Sequence, residues 1–261
     1  MRQFLPRFLR KRGGERDQNR TTHNTLKPEQ PFYAVGDIHG RLDLLDEVVF
    51  KINPDKDQPV IFLGDYVDRG PDAASTLERL FDMTTGRPDQ FVCLMGNHER
   101  MMLDFIDDPL GRGGIWLRNG GVATLDSYGI KGLSAQTAPD DVVDVSHTLE
   151  QRLGPEMTAW LRDLPLSWNS GNMWCVHAAF DPAKAPTAQR KKTLLWGHAD
   201  FLTTPRQDDL CVVHGHTTVD TPINRNSRIA VDTGAYRTGC LTAVYIAEDH
   251  CSFVQSLPKQ T

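Results

Sequence analysis

Six side chains able to bind a metal ion recur along this chain, most of them just beyond the end of a short apolar run. Asp37 and His39 are two positions apart, so in an extended segment both project to one side. Asp65 lies 28 positions after Asp37, and Asn97 lies 32 after Asp65. His177 and His216 close later apolar runs. Two carboxylates, one amide oxygen and three imidazoles, with no thiolate, make an oxygen and nitrogen donor set. It suits Mn²⁺, Fe or Zn rather than a cysteine-type structural zinc. One carboxylate can bridge two ions, and two ions about 3.5–4 Å apart form a clamp for displacement at phosphorus.

Taken singly, each residue has a plain structural use. An Asp at a strand–helix junction commonly caps the helix, and an Asn after a glycine commonly makes a turn. A lone His at a strand end is commonly a hydrogen-bonded structural group. The combination carries the weight, because all six stand at or just past the ends of predicted strands.

Three units of strand, loop and helix position the first four. Phe32–Val35 runs into Gly36-Asp37, Val60–Leu63 into Gly64-Asp65, and Phe91–Met95 into Gly96-Asn97. Leu42, Leu45, Val48, Val49 and Ile52 recur at helical spacing, a second helix follows Pro71, and a third carries Met101, Met102, Leu103, Phe105 and Ile106. This alternation predicts a layered α/β fold with a largely parallel sheet, whose sites form beyond the carboxyl ends of the strands. Asp37, Asp65 and Asn97 are therefore expected to meet. Residues 108–165, with glycine-rich turns and an amphipathic stretch at 150–164, read as a helical insertion covering part of the site. Further strands end at His177, at His214-Gly215-His216 and at Asp232-Thr233-Gly234, and residues 241–254 read as an antiparallel hairpin.

Gly36-Asp37-Ile38-His39-Gly40, Gly64-Asp65-Tyr66-Val67-Asp68-Arg69-Gly70 and Gly96-Asn97-His98-Glu99 resemble the three signature motifs of the phosphoprotein phosphatases. These are the calcineurin-like, two-metal serine/threonine phosphatases, and the similarity is strongest to bacterial and lambda-phage members. His177-Ala178 and Gly215-His216-Thr217 fit two weaker motifs. The resemblance spans residues 32–247 and implies a metallophosphoesterase-type layered β-sandwich flanked by helices. It implies that Asp37, His39 and Asp65 hold a first metal. Asp65 would bridge to a second, which also takes Asn97, His177 and His216. His98 would be the general acid, oriented by Asp68, and Arg69 would bind phosphate oxygens with help from Asn97.

Elementary chemistry fits these roles. A phosphate monoester dianion repels hydroxide, so positive charge must offset it. Two divalent ions, Mn²⁺ in first place, supply that charge together with a guanidinium whose fork matches phosphate. A water held between the ions, with its pKa lowered, attacks phosphorus in line. A departing serine or threonine alkoxide needs a proton, and general acid help is typically worth about 10²–10⁴-fold.

The sequence departs from the family pattern in places. Met95 stands where many protein phosphatases have Arg, and His198 follows Leu195-Trp196-Gly197 where phage-like members often have Arg. His198 is expected to substitute, or Arg118 or Arg237 to complete the phosphate clamp. His214 and His216 flank Gly215 and either could be the ligand; the family pattern favours His216. Thr218 removes the Gly-His-x-His ending of many phosphodiesterases, which favours monoesters.

The chain has 261 residues, 39% hydrophobic and 24% charged, with a formal net charge of -5. That composition excludes a mostly disordered chain or a collagen-like fibre, and no run approaches the roughly 18 apolar residues of a membrane span. The acidic balance argues against nucleic acid as a partner. Residues 1–30 carry eight Lys/Arg against three acids and read as a flexible basic tail, with a membrane-surface or partner-binding helix as the alternative; 31–261 read as the catalytic domain. Five cysteines without a C-x-x-C pair favour reduced thiols and the cytoplasm. The expected activity is a metal-dependent serine/threonine protein phosphatase acting on phosphorylated protein. A hydrolase of dinucleoside polyphosphates or another small phosphoester is the enzymatic alternative, and a phosphate-recognising binding module the non-enzymatic one. Oligomeric state is not legible.

Overall fold

The three strand–loop–helix units stand side by side in a computed structural model that describes residues 25–131, 133 and 138–256. The basic segment 1–24 lies outside the described residues. Strand β1 (Phe32–Val35) pairs in parallel with β2 (Val60–Phe62), and β2 with β3 (Phe91–Cys93), in the registers Tyr33↔Val60 and Val60↔Phe91. On the other flank β1 meets β9 (Thr242–Ala247), which forms the expected hairpin with β10 (His250–Gln255). The order is β10-β9-β1-β2-β3.

A second five-stranded sheet contains β4 (Ser167–Ser170), β5 (Met173–Val176), β6 (Cys211–His214), β8 (Arg228–Ala230) and β7 (Ile223–Arg225), in that order. Its central strands β5, β6 and β8 are parallel. The two sheets share an apolar layer: Phe32, Ala34 and Ile61 from the first meet Cys175, Val213 and Ile229 from the second. Alternation along each strand aims the other residues outward. Val60 and Phe62 face the helices α1 (Leu42–Ile52), α2 (Ala73–Gly86) and α3 (Asn97–Asp107), which bury Leu45, Val48, Leu77, Leu80, Met102 and Phe105 against them. A fully buried Leu, Val or Phe stabilises by roughly 1.5–3 kcal/mol, so these two layers fix where the strand ends lie. On the outer face of the second sheet, Val176 and Val212 pack with Phe180, Leu194 and Phe201.

The segment 108–165 is helical: α4 (Pro109–Trp116), a π-turn (Leu117–Gly121), α5 (Val122–Ser127) and α6 (Pro139–Asp163), which breaks at Gly154 before Pro155. Trp116, Leu125, Leu149 and Leu161 join the core around α3. Two short helices, α7 (Lys191–Trp196) and α8 (Ala235–Thr238), lie in the later loops. Residues 25–29, inside the stretch read as a tail, lie along the turn joining β4 to β5. There Lys27 N–H donates to Asn172 Oδ1 at 2.8 Å and Glu29 N–H to Ser170 Oγ at 2.9 Å. Strands β4 and β7 had no forecast; both are short edge strands of mostly polar sequence. No helix among the described residues is long and apolar enough to cross a membrane.

Candidate metal centre and active site

The loops that follow β1, β2 and β3 are laced together. The amides of Ile38 and His39 donate to the Asp65 carbonyl at 3.1 and 2.8 Å, and Gly40 N–H to the Tyr66 carbonyl at 2.7 Å. Glu99, on the first turn of α3, completes the lacing. Its Oε2 accepts from the amides of Asp65 (2.9 Å) and Gly96 (3.0 Å), its Oε1 from those of Tyr66 (2.7 Å) and Val67 (3.2 Å). Nine non-glycine residues among those described have positive φ, and five of them are His39, Asp65, Asp68, Arg69 and His216. Such backbone costs of order 1–3 kcal/mol per residue and persists only where the surroundings over-determine it. The lacing supplies that constraint. Gly215 is required for a different reason: a β-carbon there would collide with the carboxylate of Asp37.

The side chains converge. Asp65 Oδ1 lies 3.3 Å from His177 Nε2, and Asp65 Oδ2 lies 3.7 Å from His39 Nε2 and 3.9 Å from His98 Nε2. Asn97 Oδ1 is 2.8 Å from both His177 Nε2 and His216 Nδ1. Two groups with mutually close ligand atoms result, His39–Asp65–His98 and Asp65–His177–His216, with Asp65 common to both. Asp37 is in neither group; both its oxygens accept from the His216 amide at 3.1 Å. His214 turns away, packing edge-on against Phe201.

This donor set fits a pair of cations. His39 donates Nδ1–H to the Val67 carbonyl at 2.8 Å, and His177 donates Nδ1–H to the Leu63 carbonyl at 3.0 Å. Each therefore turns a bare Nε2 inward, the arrangement a metal ligand needs. Burial pushes His39 down to about 3 and His216 down to about 4, and lowers His177, so all three are neutral near pH 7. His177 Nε2 and Asn97 Oδ1 then face each other at 2.8 Å, a contact that a shared cation would satisfy. Burial, with Asp232 and Asp65 nearby, pushes the Asp37 carboxyl well above its ordinary range, an excess of negative charge that cations would relieve.

Beside this cluster His98 Nδ1–H donates to Asp68 Oδ2 at 2.6 Å. Asp68 is wholly buried and held from three sides. It also accepts from Trp116 Nε1–H at 3.0 Å to each oxygen and from Thr124 Oγ at 2.7 Å. Burial opposes the imidazolium of His98, but the carboxylates of Asp65 and Asp68 outweigh it and raise its pKa. Arg69 extends its fork to the same place, Nη2 3.1 Å from His98 Nε2 and Nη1 3.0 Å from His39 Nε2.

All nine residues singled out from the sequence thus lie around one pit. Among the described residues, Arg69 is the only arginine bonded to any of them. Met95 is buried in the core, while Arg118 and Arg237 are exposed. His198 lines a cavity of about 320 Å³ that also contains His216, within 3.7 Å of Asp181. No role for Glu99, Trp116, Thr124 or Asp232 follows from sequence alone. Two of them carry a signal: Glu99 stands directly after Asn97-His98, and Asp232 at the end of a predicted strand.

The calcineurin-like phosphoesterase family model matches residues 30–238. The chain is 41% identical over 78 residues to human serine/threonine-protein phosphatase 5, covering 29% of this chain and 15% of that protein. It is equally identical over 75 residues to the symmetrical bis(5'-nucleosyl)-tetraphosphatase of Pseudomonas fluorescens, covering 27% and 24%. The chain thus spans a quarter or less of the length of these relatives. In fold it is similar to a putative diadenosine tetraphosphatase, with a TM-score of 0.61 at 15% identity over 88% of this chain and 95% of that one. A Saccharomyces cerevisiae serine/threonine phosphatase gives 0.57 at 15% identity over 90% and 82%. With four-fifths of its length matched by one family model and its motif residues gathered in one pit, the chain belongs to the calcineurin-like phosphoesterases.

Proposed function

We propose that this chain is a metal-dependent phosphomonoesterase that removes phosphate from serine and threonine in protein substrates. The observation that carries the reading is the His98–Asp68 pair beside the carboxylate shared by two ligand clusters. Asp37, His39, Asp65, Asn97, His177 and His216 would hold two divalent ions, Mn²⁺ in first place and otherwise Fe or Zn. When bound, such a pair supplies Lewis acidity toward phosphoryl oxygens and makes a nucleophile of water at neutral pH. Arg69 grips the non-bridging oxygens through its planar fork, with the Asn97 amide beside it. His98 delivers its Nε2 proton to the departing serine oxygen, while Asp68 fixes the ring and supports its charge. Trp116 and Thr124 hold Asp68 in turn. A binding module has no use for this acid pair. The five free cysteines support a reducing compartment, the cytoplasm.

Hydrolysis of a dinucleoside polyphosphate is the second reading. The similarity to the Pseudomonas fluorescens enzyme favours it. Metal-free protein refilled with Mn²⁺ and offered phosphoserine peptide, phosphotyrosine peptide, diadenosine polyphosphate and a phosphodiester separates the two; fastest turnover of the polyphosphate overturns the first.

His98→Asn tests the acid role. Turnover of a phosphoserine peptide is expected to fall by about 10²–10⁴-fold, and that of p-nitrophenyl phosphate, whose leaving group needs no proton, far less. Equal losses on both substrates would remove His98 as the proton donor.

A further inference from the structure

The fork of Arg69 is aimed from three sides, and only two of them come from the motif loops and the helical segment. Its own amide donates to the Gly120 carbonyl at 3.3 Å, and its two terminal nitrogens reach His39 and His98. The third side is Tyr236, on the four-residue helix between β8 and β9. The Arg69 guanidinium carbon lies 4.9 Å from the centroid of the Tyr236 ring, within the range of a cation–π contact. The same ring meets His39 edge-on, with centroids 5.3 Å apart and planes at 81°.

The turn that carries Tyr236 is built to hold it still. Left-handed glycines, Gly234 and Gly239, begin and end the helix. Asp232 Oδ1 accepts from Gly234 N–H at 2.8 Å. Thr238 Oγ donates to the carbonyls of Thr233 and Gly234 at 2.9 and 3.0 Å, and Arg41 Nη1 donates to the Ala235 carbonyl at 3.1 Å. A ring on a clamped turn restricts a long side chain that would otherwise sample many rotamers, and conformational freedom that need not be lost on binding is affinity kept.

From this stack we propose that Tyr236 is a positioning residue: its ring holds the Arg69 guanidinium in the orientation that receives phosphate. The inference rests on the reading of Arg69 as the phosphate-binding group. Tyr236 works through its face, so the hydroxyl is dispensable. It acts on phosphate itself, whatever alcohol is attached.

The test is the competitive inhibition constant for inorganic phosphate, measured on Mn²⁺-loaded protein with wild type, Tyr236→Phe, Tyr236→Leu, Arg69→Ala and the double variant Arg69→Ala/Tyr236→Leu. The Tyr236 residue is 37% exposed, so these variants are expected to fold; metal content and Tm check it. Tyr236→Leu should raise the constant about 3- to 30-fold, and Tyr236→Phe should restore it to within about twofold of wild type, as a face contact requires. In the Arg69→Ala background Tyr236→Leu should add nothing, because neighbours acting through one another are not additive. A wild-type constant in Tyr236→Leu beside a weakened Arg69→Ala overturns the inference alone. So does an equal loss in Tyr236→Phe, or a full additional loss in the double variant. An unmoved constant in Arg69→Ala overturns the Arg69 reading and the inference with it.

Discussion

His98 and Asp68 are joined by a 2.6 Å hydrogen bond in a place almost closed to water, and the residues that hold Asp68 there come from the helical segment 108–165. That segment is therefore part of the proposed acid machinery. Asp68→Asn keeps the shape but loses the charge that supports the imidazolium. Turnover of phosphoserine peptide is expected to fall by about 10–10³-fold, less than for loss of His98 itself. Trp116→Phe, which removes one donor to Asp68, should lie between wild type and Asp68→Asn. Steady-state kinetics on peptide and on p-nitrophenyl phosphate checks both, and a Trp116→Phe protein worse than Asp68→Asn would contradict the order.

Glu99 concerns stability. Its two oxygens take four backbone amides, and Glu99→Gln turns an NH₂ group against two of those donors. The cost is expected to be about 1–3 kcal/mol, which at this chain length is a fall in Tm of roughly 2–12 °C. Thermal melts of the metal-free proteins measure it, and an unchanged Tm would mean that the loops are held by something else.

Acid should remove the contribution that two buried histidines make to the stability of the metal-free protein. Burial holds His39 near 3 and His216 near 4 in the folded chain, while an exposed histidine titrates near 6.5. Between those values these two histidines bind more protons in the unfolded chain than in the folded one, so their contribution to stability rises with pH through that window and is complete above it. Buried Asp37, Asp68, Asp232 and Glu99, whose pKa values burial raises, act with the opposite sign, so the histidine contribution is read from the difference between wild type and a histidine variant. His39→Asn should show a less positive slope of Tm against pH there than wild type, and parallel slopes would contradict the assignment.

The parallel sheet and the pit were readable because apolar runs in β1, β2 and β3 end at a glycine followed by Asp37, Asp65 or Asn97. What could not be read depends on distance along the chain. Trp116 and Thr124 lie 48 and 56 positions from Asp68, and nothing in their local sequence marks them as its partners. Tyr236 sits on a single turn, too short for any periodicity. Ser167–Ser170 forms an edge strand with little apolar content, so β4 left no pattern. The two-residue spacing groups Asp37 with His39; the further contact of its carboxylate with the His216 amide comes from the second sheet, which brings Gly215 against it, and no local spacing marks it.

Metal content per chain tests the central claim most directly. Metal-free protein titrated with Mn²⁺ and freed of excess should retain two ions in wild type, one in His177→Ala, and none in Asp65→Ala, because Asp65 is, among the described residues, common to both clusters. A wild-type chain that keeps no ion, or an Asp65→Ala chain that still keeps two, would contradict a pair of cations held by these side chains.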